Sequence, residues 1–236
     1  MGRVFEKRKH KMFARYDKMA KAFTRIGKEI AMAVKQNGPA PENNPRLRTA
    51  IQNAKGVNMP KDRVEAAIKR AISKDEKELE EVVYEGYGPY GVAIVIETAT
   101  ENINRTVANI RAIFSRGDGS LGKTGSLDFI FSRKGVFKFM KANHDIDELE
   151  LELIDSGAED VAISEDGEVY IYTSFQDFGN MQKALEDKGI EVVSAELQRI
   201  PTSFAELTPE QEEEVLELVE KFEEDEDVQS VYHNIK

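Results

Sequence analysis

Between Met12 and about Gln36 the apolar residues Met12, Phe13, Tyr16, Met19, Phe23, Ile26, Ile30 and Val34 recur at steps of three and four. At roughly 100° per residue these side chains share one face, which predicts an amphipathic helix. Lys11, Arg15, Lys18, Lys21, Arg25 and Lys28 fall on the opposite face and form a basic outer stripe. Gly38-Pro39-Ala40-Pro41 interrupts the pattern. Asn44 then stands where an N-cap belongs and Pro45 at a first helical position, with Leu47, Ile51 and Ala54 on a buried face and Gly56 at the end. Pro60 suits the first turn of a third helix whose apolar face is Val64, Ile68 and Ala71. Three such helices approach the smallest size, on the order of 60–70 residues, that buries a core alone.

The charged stretch Ser73–Glu81 reads as a linker, after which the period changes. Val92-Ala93-Ile94-Val95-Ile96 has the length and β-branching of a buried strand. Ile103, Val107, Ile110 and Phe114 mark a helix, and Leu127–Phe131 and Val136–Phe139 two strands closed by Arg133-Lys134-Gly135. The closing pieces of this βαββ run come at the end of the chain: Thr208, Pro209 and Gln211 start a helix through Phe222, and Val228–Tyr232 is a last strand. Residues 142–202 then read as an αββαβ insertion. The expectation is an α+β protein: an N-terminal three-helix domain and linker over 1–79, a ferredoxin-like α+β domain over 80–141 and 203–236, and a second small α+β domain inserted at 142–202.

The hydrophobic content of 40% is ordinary for a folded domain. There is no cysteine, so disulfides, thiolate metal sites and thiol catalysis are excluded. No apolar run approaches the ~18 residues of a membrane span, and the first twenty residues lack a signal-peptide core. The first serine is Ser73, against an organelle transit peptide, and Glu6 stands where a myristoylation signal needs Ser or Thr. A cytoplasmic protein without membrane contact is expected.

The overall charge of −11 hides an asymmetry. Residues 1–72 carry 18 Lys and Arg against 6 Asp and Glu, a net charge of +12, and the remainder carries 15 against 38, a net of −23. Such a basic part points to a nucleic-acid partner, and the acidic α+β body to a protein partner.

Two phosphate-loop patterns occur in the wrong context. Gly117-Asp118-Gly119-Ser120-Leu121-Gly122-Lys123-Thr124 matches G-x-x-x-x-G-K-[ST], yet a helix precedes it and a strand follows, the reverse of what a phosphate loop needs. Gly86-Tyr87-Gly88-Pro89-Tyr90-Gly91 satisfies G-x-G-x-x-G but leads into a strand, so it reads as a turn. His10, His144 and His233 lack metal-ligand spacing, and Asp145 and Glu148 have the spacing of a helix cap before Leu149. The acidic runs Glu210–Glu214 and Glu223–Asp227 read as solvated helix faces. No Ser, His and acid trio is suggested by spacing, so neither a catalytic residue, a cofactor, a metal nor a small-molecule substrate is expected.

The remaining chemistry is basic. Lys7, Arg8, Lys9, Lys11, Arg15, Lys18, Lys21, Arg25 and Lys28 on the first helix, Arg46 and Arg48 on the second, and Lys61, Arg63, Lys69 and Arg70 on the third are phosphate-binding types. They predict salt-dependent binding without base selectivity. The alternative role for such a surface is solubility, or docking on the chain's own acidic body. Phe13, Tyr16 and Phe23 have the period of core residues rather than stacking platforms, while Phe5 lies outside that pattern.

Several runs together resemble the YebC/PmpR family: Asn44-Pro45-Arg46-Leu47-Arg48, Asn58-Met59-Pro60-Lys61-Asp62, Ala67-Ile68-Lys69-Arg70-Ala71, Tyr84-Glu85-Gly86-Tyr87-Gly88-Pro89, Asn104-Arg105-Thr106-Val107-Ala108, Gly122–Ser126, Lys134-Gly135-Val136, and Asp227-Val228-Gln229 through Tyr232-His233-Asn234. The resemblance spans nearly the whole chain. It implies a three-domain cytoplasmic regulator of transcription that binds DNA. A mitochondrial relative implies translational activation as the alternative, acting at the ribosome on proline-rich stretches through ribosomal or transfer RNA. A nucleotide-dependent enzyme is the remote third reading. The chain departs from the family at Gly2-Arg3-Val4-Phe5-Glu6, where Gly-His-Ser-Lys-Trp is usual, and at Tyr90, where glycine is common.

Overall fold

The computed structural model describes residues 3–73, 77–142 and 144–236, with side chains from residue 18 onward. Its first element is one long helix, α1 (Arg3–Asn37), which begins well before the apolar period does. A 3-10 turn (Pro41–Asn43) leads to α2 (Pro45–Gly56), and α3 (Lys61–Ile72) follows with Pro60 at the N-cap, one position before the expected first turn. Ile30, Ala33, Val34, Leu47, Ala50, Ala54, Val64 and Ala71 form the core of this helical part. Asn44, wholly buried, joins two helices. Its Oδ1 accepts from the Leu47 N–H at 3.0 Å to cap α2, and its Nδ2 donates to the carbonyls of Ala33 (2.7 Å) and Gly38 (2.8 Å) at the end of α1. One amide thus satisfies backbone groups that both helix ends would leave unpaired.

The first sheet contains β1 (Glu80–Tyr87), β2 (Ala93–Thr100), the two-residue β3 (Ser120–Leu121) and β8 (Val228–His233), in the order β3-β1-β2-β8. β1 begins inside the stretch expected to be a linker and forms an antiparallel hairpin with β2. Their connection is the Gly86–Gly91 segment, a turn as expected, with a 3-10 turn at Pro89–Gly91. Two helices, α4 (Ile103–Arg116) and α7 (Pro209–Glu223), cover one face through Ile94, Ile96, Ile110, Phe114, Val215, Leu218 and Phe222. Ala93 and Val95 face the other way, against Leu127, Ile130 and Phe131. Burial on both faces is why β2 reads as an unbroken apolar run. The α7 capping box is present, with Thr208 and Gln211 exchanging side-chain and backbone bonds.

The second sheet contains β4 (Phe131–Met140), β5 (Ala158–Ile163), β6 (Glu168–Ser174) and β7 (Val192–Pro201), ordered β5-β6-β4-β7. Helices α5 (Ile146–Leu153) and α6 (Phe178–Asp187) supply Ile146, Leu149, Leu153, Met181 and Leu185 to its core, opposite Phe137, Phe139, Val169 and Ile171. Asp145 caps α5 by accepting from the Glu148 N–H at 3.3 Å.

The α+β class stands, but the strand order expected of the first sheet belongs to the second. β4-α5-β5-β6-α6-β7 is a βαββαβ unit with a ferredoxin-like order, whereas the first sheet is built as ββαβ and completed by α7 and β8. Two strands were expected at Leu127–Phe131 and Val136–Phe139, closed at Arg133–Gly135; in fact residues 124–130 are turn and β4 runs unbroken through Arg133–Gly135. The Leu127 N–H is taken by the Glu85 carboxylate at 2.7 Å, so it has no ladder to join. Short apolar runs do not distinguish a strand from a buried turn.

The chain divides into two compact units, residues 1–76 with 136–196, and 77–135 with 197–236. Among the described residues no helix is long and apolar enough to cross a membrane.

Candidate nucleic-acid interface

α1 places Lys18, Lys21, Arg25 and Lys28 within an arc of roughly 80° at about 100° per residue. Lys18 and Lys21 are exposed, while Arg25 and Lys28 are half-buried and engaged with neighbouring groups. The side chains of Lys7, Arg8, Lys9, Lys11 and Arg15 lie outside the described residues, as do those of Phe5, Phe13 and Tyr16.

On α3 the core residues Val64, Ala67, Ile68 and Ala71 divide the cations into two edges. Arg63 and Arg70, seven residues apart, lie along one, and Lys61 and Lys69 along the other; all four are exposed. The Arg63 guanidinium sits 5.6 Å from the centroid of the half-buried Phe23 ring on α1. Lys61 is 3.6 Å from Glu65 across one helical turn, an exposed pair that holds its charge only weakly.

Arg46 and Arg48 are turned to structural use. Arg46 Nε donates to Glu29 Oε1 at 2.7 Å and Nη2 to Oε2 at 3.2 Å, a two-pronged bond between α2 and α1. Arg48 Nη1 donates to the carbonyls of Pro41 (2.9 Å) and Glu42 (3.2 Å), fixing the 3-10 turn before its own helix. Charge and spacing could not separate these two arginines from the exposed cations, because their partners, a carboxylate on another helix and two carbonyls of the preceding turn, come within reach only in the folded chain.

The two phosphate-loop lookalikes pack against each other. Gly86 pairs with Leu121 and Tyr87 with Ser120. A Cβ on Gly86 would lie 2.5 Å from the Ser120 carbonyl oxygen, and one on Gly119 2.5 Å from that of Tyr87. The glycines therefore serve close backbone approach. The Gly119 and Gly122 N–H groups are spent on the carbonyls of Phe114 (2.8 Å) and Glu85 (2.7 Å), so neither points at a ligand.

The other motif runs also converge on internal networks. Buried Asp227 accepts from Arg105 Nη2 at 2.7 Å, Thr106 Oγ1 at 2.8 Å and Thr100 Oγ1 at 3.1 Å, tying the start of α4 to the turn before β8. The bond from Arg105 to Asp227 holds its guanidinium above the ordinary value. His233 is pushed below the ordinary histidine value by burial, with Glu212 and Glu223 pulling the other way.

Residues 3–74 match the family model "TACO1/YebC protein N-terminal domain", and residues 79–235 match "TACO1/YebC second and third domain". A "Probable transcriptional regulatory protein" of Cytophaga hutchinsonii is 59% identical over 235 residues, covering 100% of this chain and 98% of that protein. One of the same name from Parabacteroides distasonis is 54% identical over 237 residues, covering 100% and 97%. The crystal structure of a conserved hypothetical protein from Aquifex aeolicus superposes with a TM-score of 0.80 at 36% identity, over 92% of this chain and 90% of that one.

Proposed function

The chain belongs to the TACO1/YebC family, and from that premise we propose that it is a non-enzymatic, DNA-binding regulator of transcription acting in the cytoplasm. Its grip on nucleic acid comes from the helical N-terminal part. The observation that carries this reading is the sorting of the basic residues: Lys18, Lys21, Lys61, Arg63, Lys69 and Arg70 stay exposed, while Arg46 and Arg48 are drawn inward as struts. Exposed ammonium and guanidinium groups gain affinity by displacing the counterions condensed on a polyanion. The net −23 of residues 73–236 repels the same polyanion on average, so the helical part carries the main contact, and the acidic surface is left to engage a protein partner. The name shared by the relatives, a probable transcriptional regulatory protein, supports DNA as the target.

The test is cross-linking in living cells followed by sequencing of the attached nucleic acid, with a Lys18→Glu, Lys21→Glu, Lys69→Glu variant as control. Discrete promoter DNA that disappears in the variant is the expected result. Ribosomal RNA lost in the variant would instead make the protein a translation factor that uses the same helices. Equal recovery from both proteins would remove these helices from the interface.

A further inference from the structure

Phe129 is 75% exposed in the middle of the turn at residues 124–130, between Leu127 and Ile130, which are buried. The turn is held by the Glu85 side chain, which is itself 3% exposed. Its Oε1 accepts from the Gly125 N–H at 2.8 Å, and its Oε2 from the Leu127 N–H at 2.7 Å and Ser126 Oγ at 3.4 Å. A second segment is tied beside it. Thr202 donates from N to the Ile130 carbonyl at 2.7 Å and from Oγ1 to those of Ile130 (3.0 Å) and Phe129 (3.4 Å), and two residues on, Phe204 is 54% exposed. A large apolar side chain held in water by a fixed backbone forgoes burial and presents its ring face to solvent, where a flat partner can stack on it.

The local charge indicates the kind of partner. Residues 122–135, the turn and its flanks, carry three Lys and Arg against one Asp, a net of +2, whereas the rest of their compact unit, residues 77–121 and 197–236, carries a net of −12. Lys123 and Arg133, both exposed, flank the turn in sequence, and Arg133 also has an interaction within the protein. Exposed aromatic rings in a basic segment are the chemistry on which unpaired bases stack while the backbone is neutralised; a duplex offers no free base face to such rings.

We propose that this turn is a second nucleic-acid contact, specific for single-stranded segments, in which Phe129, with Phe204 on the segment tied to the turn, stacks on bases and Lys123 and Arg133, adjoining it in sequence, meet the phosphates. The contact goes beyond the helical surface described above and stands without it. Base stacking reads no sequence, so the site selects strandedness.

The chain contains no tryptophan, so Phe129→Trp gives a single reporter at the turn. On titration with a 12-nucleotide single-stranded RNA or DNA its emission should fall, while a duplex of the same sequence should leave it unchanged; the RNA and DNA arms show which strand is preferred. Phe129→Ala should weaken single-strand affinity, read by fluorescence anisotropy, by about 5- to 100-fold, with Phe129→Trp retaining it. The high exposure of Phe129 keeps the fold out of the result, which circular dichroism checks. If the oligonucleotide binds while the tryptophan emission stays constant and Phe129→Ala binds as tightly as the parent, the turn is not a contact, and the helical reading survives. A tryptophan response that persists at saturating oligonucleotide in a Lys18→Glu, Lys21→Glu background would establish the turn even if the helices fail. Absence of binding by any oligonucleotide would overturn both.

Discussion

Asn53 and the backbone of Ala195 exchange two hydrogen bonds: Nδ2 donates to the Ala195 carbonyl at 3.0 Å, and the Ala195 N–H donates to Oδ1 at 2.8 Å. Ala195 lies on β7, an edge strand of its sheet, so a side-chain amide on α2 takes the place of a neighbouring strand. Edges left with unpaired groups invite pairing with other chains, and this one is blunted from within the molecule. Gln52 Nε2 to the Val192 carbonyl at 3.3 Å and Thr49 to Gln182 at 3.1 Å extend the contact. Asn53→Ala should therefore cost about 1–3 kcal/mol in urea unfolding, because two half-buried backbone groups lose partners. Hydrogen exchange at the Ala195 amide should accelerate; unchanged protection there would show that the pair is not formed in solution.

Gly56 closes the same contact. A Cβ at this position would lie 1.9 Å from the Val193 carbonyl oxygen, a rigid backbone atom. Gly56→Ala must push α2 away from β7 and should destabilise more than Asn53→Ala, although alanine is the better helix former. A Gly56→Ala protein as stable as the parent would mean that the two elements do not approach so closely.

The basic residues should separate into two classes on mutation. Replacing Lys18, Lys21, Lys69 and Arg70 by Ala should weaken DNA binding and flatten the slope of log K against log salt by up to about 0.9 per lost phosphate contact. Stability should shift by less than about 0.5 kcal/mol for each such surface change. Arg46→Ala should do the reverse, lowering stability by about 1 kcal/mol through loss of its two-pronged bond to Glu29 and leaving the salt slope nearly unchanged.

ATP and GTP should give no binding heat in calorimetry and no rise in melting temperature. The glycine-rich segment has the letters of a phosphate loop, but its Gly119 and Gly122 N–H groups already serve Phe114 and Glu85. A phosphate cradle needs those donors pointing outward at a helix start. A saturable nucleotide signal lost in Lys123→Ala would reverse this conclusion.

His233 should make stability depend on pH. Its folded-state value lies below the ordinary 6.5 because burial disfavours the imidazolium, so the unfolded chain takes up the proton first. The contribution is fully present above about pH 6.5 and is lost as pH falls from there through the folded-state value. Urea midpoints of the parent between pH 7 and pH 5 should fall more steeply than those of His233→Phe. Parallel slopes would show that the histidine titrates alike in both states.

The helical part was legible because its signals are local. The apolar steps of α1 from Ile26 to Val34, Asn44 before Pro45, and Thr208 with Gln211 act over distances of one helical turn, and each appears in the structure at the expected place, although α1 itself begins earlier than its apolar period. Strand pairing was less legible. Val92–Ile96 announces a strand but not its partners, and the charged start of β1 resembles a linker because half-exposed residues at the end of a hairpin need no apolar period. Leu127–Phe131 has the composition of a strand and becomes a buried turn because Glu85, some 40 residues away, captures its backbone.

Composition and charge sufficed to separate a basic helical N-terminus from an acidic α+β remainder, since both properties are sums over residues and need no coordinates. Which arginines are struts and which face solvent, why both glycine motifs are packing devices, and where a phenylalanine is held out in water were decided by tertiary structure. Each depends on what a distant segment places opposite the residue: Glu29 against Arg46, Ser120 against Gly86, Glu85 beneath the turn that displays Phe129. A side chain's chemistry is written in its own code, but its free donors, acceptors and surface are those its neighbours leave unused.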